Sequence, residues 1–172
     1  MTLTTHALVG AATASLFPQE PALAFAAGFA SHFVIDAIPH WDYALLSIEK
    51  VEGQPLKTDM RFGKSFMLDI TRTGSDAIFG LAASFFLFSA LLPHVSTFII
   101  VVGVVAGQLP DFLSLVYFKT RLPFLTPLQS FHNWIQEGKE FRTHPVWGIL
   151  LQGILVVGVV ASVVRLTSFL NG

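Results

Sequence analysis

Four side chains in the stretch SHFVIDAIPHWDY, residues 31–43, are of types that do chemistry: His32, Asp36, His40 and Asp42. They close a long apolar run in a chain with few charges. His32 and Asp36 are four residues apart, so on a helix they share one face and can reach the same metal ion or proton. His40 would extend that stripe, but Pro39 ends or bends the helix first. Imidazole and carboxylate together suit zinc, manganese or iron. A catalytic zinc site keeps one position open for water, whose pKa the ion lowers to about 7.

The other ionisable residues in apolar surroundings repeat the theme. His6 opens a first apolar segment, about 4–17, and His32 and Asp36 close a second, about 21–38. Asp76 opens a third, about 74–92, with Asp69 two turns before it. Asp111 lies toward the end of a fourth, about 95–118, which contains Pro110. His144 opens a fifth, about 145–170. Ionisable groups in such segments are costly and point first to function. Taken singly, each also has a plainer reading. Asp36 could pair with Arg61 or Arg72, and Asp76 could cap the third segment.

These segments must position the chemistry. The chain has 172 residues, 53% of them hydrophobic and 12% charged, against about 25% charged in soluble domains. The length fits a single domain, residues 1–172. A membrane-spanning helix needs about 20 apolar residues, with a range of about 17 to 25, which segments two to five meet. The expected fold is therefore all-α, a polytopic membrane bundle of about five helices with the His/Asp cluster at one end. Gly and Ala recur in ALVGAATA and ALAFAAGFA, where small residues permit close helix packing. Ala22–Ala24 has the pattern of a signal-peptide cleavage site. No Lys or Arg precedes Lys50, however, so the first segment reads as a retained helix.

Polar stretches at about 40–72 and 119–143 separate the segments. If all five segments cross, both stretches and the N-terminus share one side. Nine of the ten Lys and Arg fall there, with Arg165 the exception. The positive-inside rule makes that side cytoplasmic, with the N-terminus in and the C-terminus out. Trp41, Tyr43, Trp134 and Trp147 read as an interfacial aromatic belt near the same face. Leu128, Phe131, Trp134 and Ile135 recur at helical spacing and predict a short amphipathic helix in the interface. His132 sits beside its apolar face as a ligand, a general acid or base, or an interfacial histidine. Arg142, just before His144, could hold a phosphate or carboxylate.

Several functions find no footing. The net charge of −1 and the lack of a basic run give no support to a nucleic-acid partner. There are no cysteines, so disulfides and thiolate metal sites are excluded. There is no His-Glu-x-x-His, Walker A loop, Gly-rich dinucleotide turn or Gly-x-Ser-x-Gly elbow.

The motifs TTHALVGAA (His6), SHFVIDAIPHWD (His32, Asp36, His40, Asp42), GQLPDFLS (Asp111), FHNW (His132) and RTHP (His144) resemble the small inner-membrane-associated metal-dependent hydrolases of the LexA-binding type. That family is distantly related to the zinc phospholipase C and P1 nuclease fold. The resemblance implies a helical bundle with a metal cluster at one end that cleaves a phosphoester, including one in a lipid. In the related fold a His-x-x-x-Asp helix serves neighbouring zinc ions, and His32 with Asp36 match it. Here Phe112 follows LPD, and His132 and His144 stand twelve residues apart.

The expected activity is metal-dependent hydrolysis of a phosphoester or phospholipid-like substrate at the cytoplasmic face. Metal candidates are His6, His32, Asp36, His40, Asp42, Asp76 and Asp111, with zinc first and manganese or iron as substitutes. Asp42 and Asp76 would ligate directly or orient ligating imidazoles. His132 and His144 are the catalytic candidates, and membrane lipids are the partners. The alternative is a structural or interaction protein with a metal- or salt-bridge-stabilised end. A cation transporter fits less well, because AIFGLAASFFLFSALL after Asp76 offers no partners at depth.

Overall fold

The computed structural model of the protein describes residues 1–137 and 145–171. Six α-helices make up most of it: α1 Leu3–Ala14, α2 Pro21–Asp36, α3 Lys64–Leu91, α4 Thr97–Thr120, α5 Thr126–Gln136 and α6 Pro145–Asn171. Local chemistry sets their starts. The Thr2 side chain accepts from the Thr5 amide ahead of α1, and Ser96 accepts from the Ile99 amide ahead of α4. Pro21 opens α2 and Pro145 opens α6, where a missing N–H costs nothing.

Helices α3, α4 and α6 are long and apolar enough to cross a membrane. The second segment, expected to be long enough as well, is not. Helix α2 has 16 residues, about 24 Å of rise against about 30 Å of hydrocarbon. Helix α1 has only 12. The third helix begins at Lys64, well before the expected Gly74. Residues 64–73 are too polar to register as apolar, yet they continue the helix because Asp69 is used from below. Its carboxylate accepts from the Leu46 amide and from the Ser47 amide and hydroxyl. The expected all-α fold also lacks one element that is present. A two-stranded antiparallel ribbon pairs Ile48–Glu49 (β1) with Asp59–Met60 (β2). The predicted interfacial amphipathic helix is α5.

Helix α1 lies at the centre and touches α2, α3, α4 and α6. It packs on α4 with almost no side chain between the backbones. A Cβ on Gly10 would collide with the Gly103 carbonyl oxygen, and one on Gly107 with that of His6. Gly28 of α2 is similarly close, since its Cβ would lie 3.1 Å from both the Gly103 oxygen and Ala106 Cβ. Small residues at helix crossings are how membrane helices gain close packing. Farther along, Ala11, Ala12 and Ala14 meet Phe88, Leu92, Val95, Ile99 and Ile100 in an apolar core.

Candidate metal centre

The glycine contacts between α1 and α4 bring His6 beside His32, and the two rings stack with centroids 3.9 Å apart. Asp36, one helical turn beyond His32, points the same way. Asp111 of α4 and His132 of α5 close the group, so residues from four helices meet at one point. His6, His32 and Asp36 are fully buried, whereas Asp111 keeps 31% of its side chain exposed.

A hydrogen bond assigns the His32 tautomer. His32 Nδ1 donates to the Gly107 carbonyl at 2.8 Å. Its Nε2, in the neutral ring, is therefore a bare lone pair. Ser114 Oγ lies 3.1 Å from the Pro110 carbonyl and 3.0 Å from His132 Nδ1. With its proton on the carbonyl it accepts from Nδ1 and leaves His132 Nε2 bare; with its proton on Nδ1, the Nε2 proton goes to Asp36 Oδ2 at 3.2 Å. The two Nε2 atoms face each other at 3.1 Å. They lie 3.3 and 3.2 Å from Asp36 Oδ2, and 3.8 and 3.7 Å from Asp111 Oδ1. One added proton would satisfy one of these contacts. A divalent cation satisfies all four ligands at once.

The spacing suits such an ion. Zinc bonds of about 2.0 to 2.2 Å put tetrahedral ligands about 3.3 to 3.5 Å apart. The histidines also show the outer anchoring typical of metal ligands, with the distal N–H tied to a carbonyl or hydroxyl. His40 follows the rule, its Nδ1 lying 2.7 Å from the Ile38 carbonyl and its Nε2 4.0 Å from Asp36 Oδ1. Gln136 Nε2 donates to Asp36 Oδ2 at 2.7 Å and fixes that carboxylate from outside.

Each carboxylate has a second face. His6 Nε2 is 3.2 Å from Asp36 Oδ1 and 3.9 Å from Asp111 Oδ2. Both His6 nitrogens are buried without a hydrogen-bond partner among the described residues. The Met1 amino group reaches the same Asp36 oxygen at 3.1 Å. Asp36 and Asp111 therefore turn one oxygen toward His32 and His132 and the other toward His6, an arrangement that can bridge two cations.

The remaining candidates stand differently. Asp76 is outside the group, and it caps α1 rather than α3. Its carboxylate accepts from the Leu3 amide at 2.6 Å, from the Thr4 amide and hydroxyl, and from Tyr43 at 3.3 Å. It thus supplies the negative charge that the first turn of α1 lacks. Desolvation and the neighbouring Asp76 push the Tyr43 hydroxyl upward from its ordinary pKa. Asp42 holds the Tyr43 amide with Oδ1 and lies 3.9 Å from the Met1 amino group with Oδ2. Its side chain is 31% exposed, but the surface it meets belongs to a cavity walled by protein. Desolvation there pushes its carboxyl up to about 7, against the pull of the Met1 ammonium. Arg61 pairs with Glu49 at 2.7 Å and Arg72 donates to the Ala44 carbonyl, so neither is the partner of Asp36. His144 and Arg142 lie outside the described residues.

Sequence reasoning missed Ser114, Gln136 and the acceptor role of the Gly107 carbonyl, because hydroxyls, amides and backbone carbonyls carry no spacing signature. Gln152 is a buried polar residue in the first half of the apolar α6. It accepts from the Thr5 hydroxyl at 3.1 Å and donates to the Trp41 carbonyl at 2.7 Å, tying α6 to the site's rim.

Asp42, Asp111, His132 and Gln136 also line a cavity of about 1510 Å³ between α3, α4, α5 and the ribbon. No protein-family model, curated protein or solved structure matches the chain, so its site is defined by this geometry alone.

Proposed function

We propose that the protein is a membrane-bound, metal-dependent hydrolase of a phosphoester or phospholipid-like substrate, with its active site at the cytoplasmic face. One observation carries the reading. The imidazole nitrogens of His32 and His132 and the carboxylates of Asp36 and Asp111 converge at a point that opens, through Asp111 and His132, onto a large cavity. Sidedness rests on the clustering of Lys and Arg at the same end.

His32, His132, Asp36 and Asp111 would hold the metal, zinc first by its ligand chemistry, with His6 on the far side of the carboxylates. Bound there, the ion would polarise a phosphoryl oxygen and make water a nucleophile near neutral pH. The chain's own residues supply the rest. The Gly107 carbonyl keeps His32 in the ligating tautomer, and Ser114, accepting from His132 Nδ1, would do the same for His132. Gln136 holds Asp36 against rotation. Asp111, the exposed member, is where substrate meets the group. Asp42 and Tyr43 form the opposite wall of the cavity mouth.

A structural role for the same cluster is the second reading, favoured by the cap that Asp76 places on α1 so close to the site. The two separate in one experiment. Detergent-purified wild type is expected to carry near-stoichiometric zinc, manganese or iron by elemental analysis, and to hydrolyse bis(p-nitrophenyl) phosphate or, in mixed micelles, a phospholipid. His32→Ala combined with Asp36→Ala should lose both. Wild type that holds no metal and takes none up on reconstitution sinks the hydrolase; metal without hydrolysis favours the structural role.

A further inference from the structure

The cavity is larger than a cluster of four ligands needs, and its walls differ along its length. At the metal end they are polar: Asp42, Asp111, His132 and Gln136. Away from it they become apolar, with Ile70, Gly74 and Ala77 on one face of α3 opposite Val105, Leu109 and Phe112 on one face of α4. Val105 and Phe112 are 51% and 59% exposed on a helix long and apolar enough to cross a membrane. The cavity wall and the lipid-facing surface of α4 are thus continuous.

Gly74 singles this slot out. Glycines 10, 28, 80, 103 and 107 sit where a Cβ would strike a neighbouring helix or its side chains. A Cβ on Gly74 meets nothing within 4 Å. A glycine inside a helix costs about 1 kcal/mol relative to alanine, and here no close packing requires it. What it does is widen the slot.

Beside His132, Gln129 Nε2 donates to Asn133 Oδ1 at 2.8 Å, and Asn133 lines the cavity. The charges of the described lining limit the head that can enter: Asp42, Glu52, Asp69, Asp111 and Glu137 stand against Lys50 and the Met1 ammonium. Such an excess of carboxylates disfavours a polyanionic group more than a single phosphodiester, which can meet the metal end.

Resting on the hydrolase reading, we infer that the substrate is a membrane lipid with a phosphodiester head, one acyl chain lying between α3 and α4 along Gly74 and its head at the polar end formed by Asp111, His132 and Gln136. Water-soluble phosphoesters would lack the part of the molecule that this slot grips.

Photolabelling tests the seat without calling on catalysis. The full chain, stripped of metal with chelator, is placed in liposomes containing phosphatidylcholine with a diazirine on one acyl chain, irradiated, and mapped by peptide mass spectrometry. Adducts are expected on 70–77 and 105–112. They should fall at least fivefold in Gly74→Phe and in the milder Gly74→Leu. They should persist in Gly153→Phe, a change at another open glycine, on α6 and outside the cavity. Unchanged melting of each variant shows that the fold survives. Adducts indifferent to both Gly74 variants, or absent from these peptides, overturn the seat. Metal content and hydrolysis, measured on portions of each preparation set aside before chelation, report separately: normal labelling in a protein that held no metal before chelation and takes none up afterwards removes the hydrolase and leaves the lipid seat.

Discussion

Asp36 and Asp76 lie at the same end of the molecule and serve opposite purposes. Each carboxylate is drawn toward the start of α1 and each has several close neighbours. Around Asp76 nearly every neighbour is a donor: two backbone amides, a threonine hydroxyl and a tyrosine hydroxyl. Around Asp36 the neighbours are mixed: the Met1 ammonium and the Gln136 amide donate to it, and three imidazoles adjoin it, one with its only proton committed to the Gly107 carbonyl. A carboxylate whose neighbours all donate is a finished structural element. One that shares its surroundings with an imidazole lone pair and a second carboxylate leaves a place that a metal ion can take. What distinguishes a site from a cap is thus where the protons are, and residue type alone does not say.

That contrast can be broken in graded steps. Asp111→Asn removes one charged ligand at the open edge, where little packing depends on it. Hydrolysis should fall by about 100-fold, ~2.7 kcal/mol of barrier, with melting nearly unchanged; an equal loss of stability would move Asp111 to the structural class. Ser114→Ala takes away the acceptor that fixes His132, and metal affinity measured by chelator competition should drop by about 10- to 100-fold. An unaltered affinity would mean that the tautomer is held by something else.

Asp76→Ala belongs on the other side of the comparison. It should leave metal content intact while lowering stability by about 1–3 kcal/mol, because buried amide donors at the α1 start lose their acceptor. Loss of metal with unchanged melting would place Asp76 in the site after all. The smallest effect concerns Asp59, held below the usual carboxylate range by hydrogen bonds from Lys119 at 2.9 Å and from the Met60 amide. A depressed folded pKa contributes stability above the ordinary carboxylate pKa, lost as pH falls through the lowered value. Since Asp59 is half exposed, the contribution is below about 1 kcal/mol. Asp59→Asn should flatten the acid limb of the melting-versus-pH curve slightly, and an identical limb would show the pair to be idle.

The comparison also explains what the sequence could reveal. Apolar runs located α1, α2, α4 and α6 to within a few residues, since hydropathy reports directly on what must leave water. The first turns of α3 escaped because KSFMLDITRT is amphipathic, its Asp69 buried under a loop that no local pattern announces. The ribbon escaped because two residues per strand are too few for a period. Within the site, His32 and Asp36 were legible from spacing, and Asp111 and His132 from their apolar surroundings. Clustering at one end of the bundle was legible too, but which of the candidates meet was not, and neither was the different fate of Asp76. Those depend on Gly10, Gly103 and Gly107 letting two backbones approach, which the small-residue runs suggest only as a tendency.

The site's membership is scattered widely in chain order, and synthesis runs in that order. His6, His32 and Asp36 leave the ribosome early, on two helices too short to span, while Asp111 follows 75 residues after Asp36 (111 − 36) and His132 later still. At about 5–20 residues per second, the early half waits roughly 4–15 s with a carboxylate and two imidazoles exposed to whatever metal is at hand. A metal held by all four ligands would therefore have to load after α4 has packed against α1, and a scarcity of free metal during those seconds would protect the half-built group as much as its final geometry does.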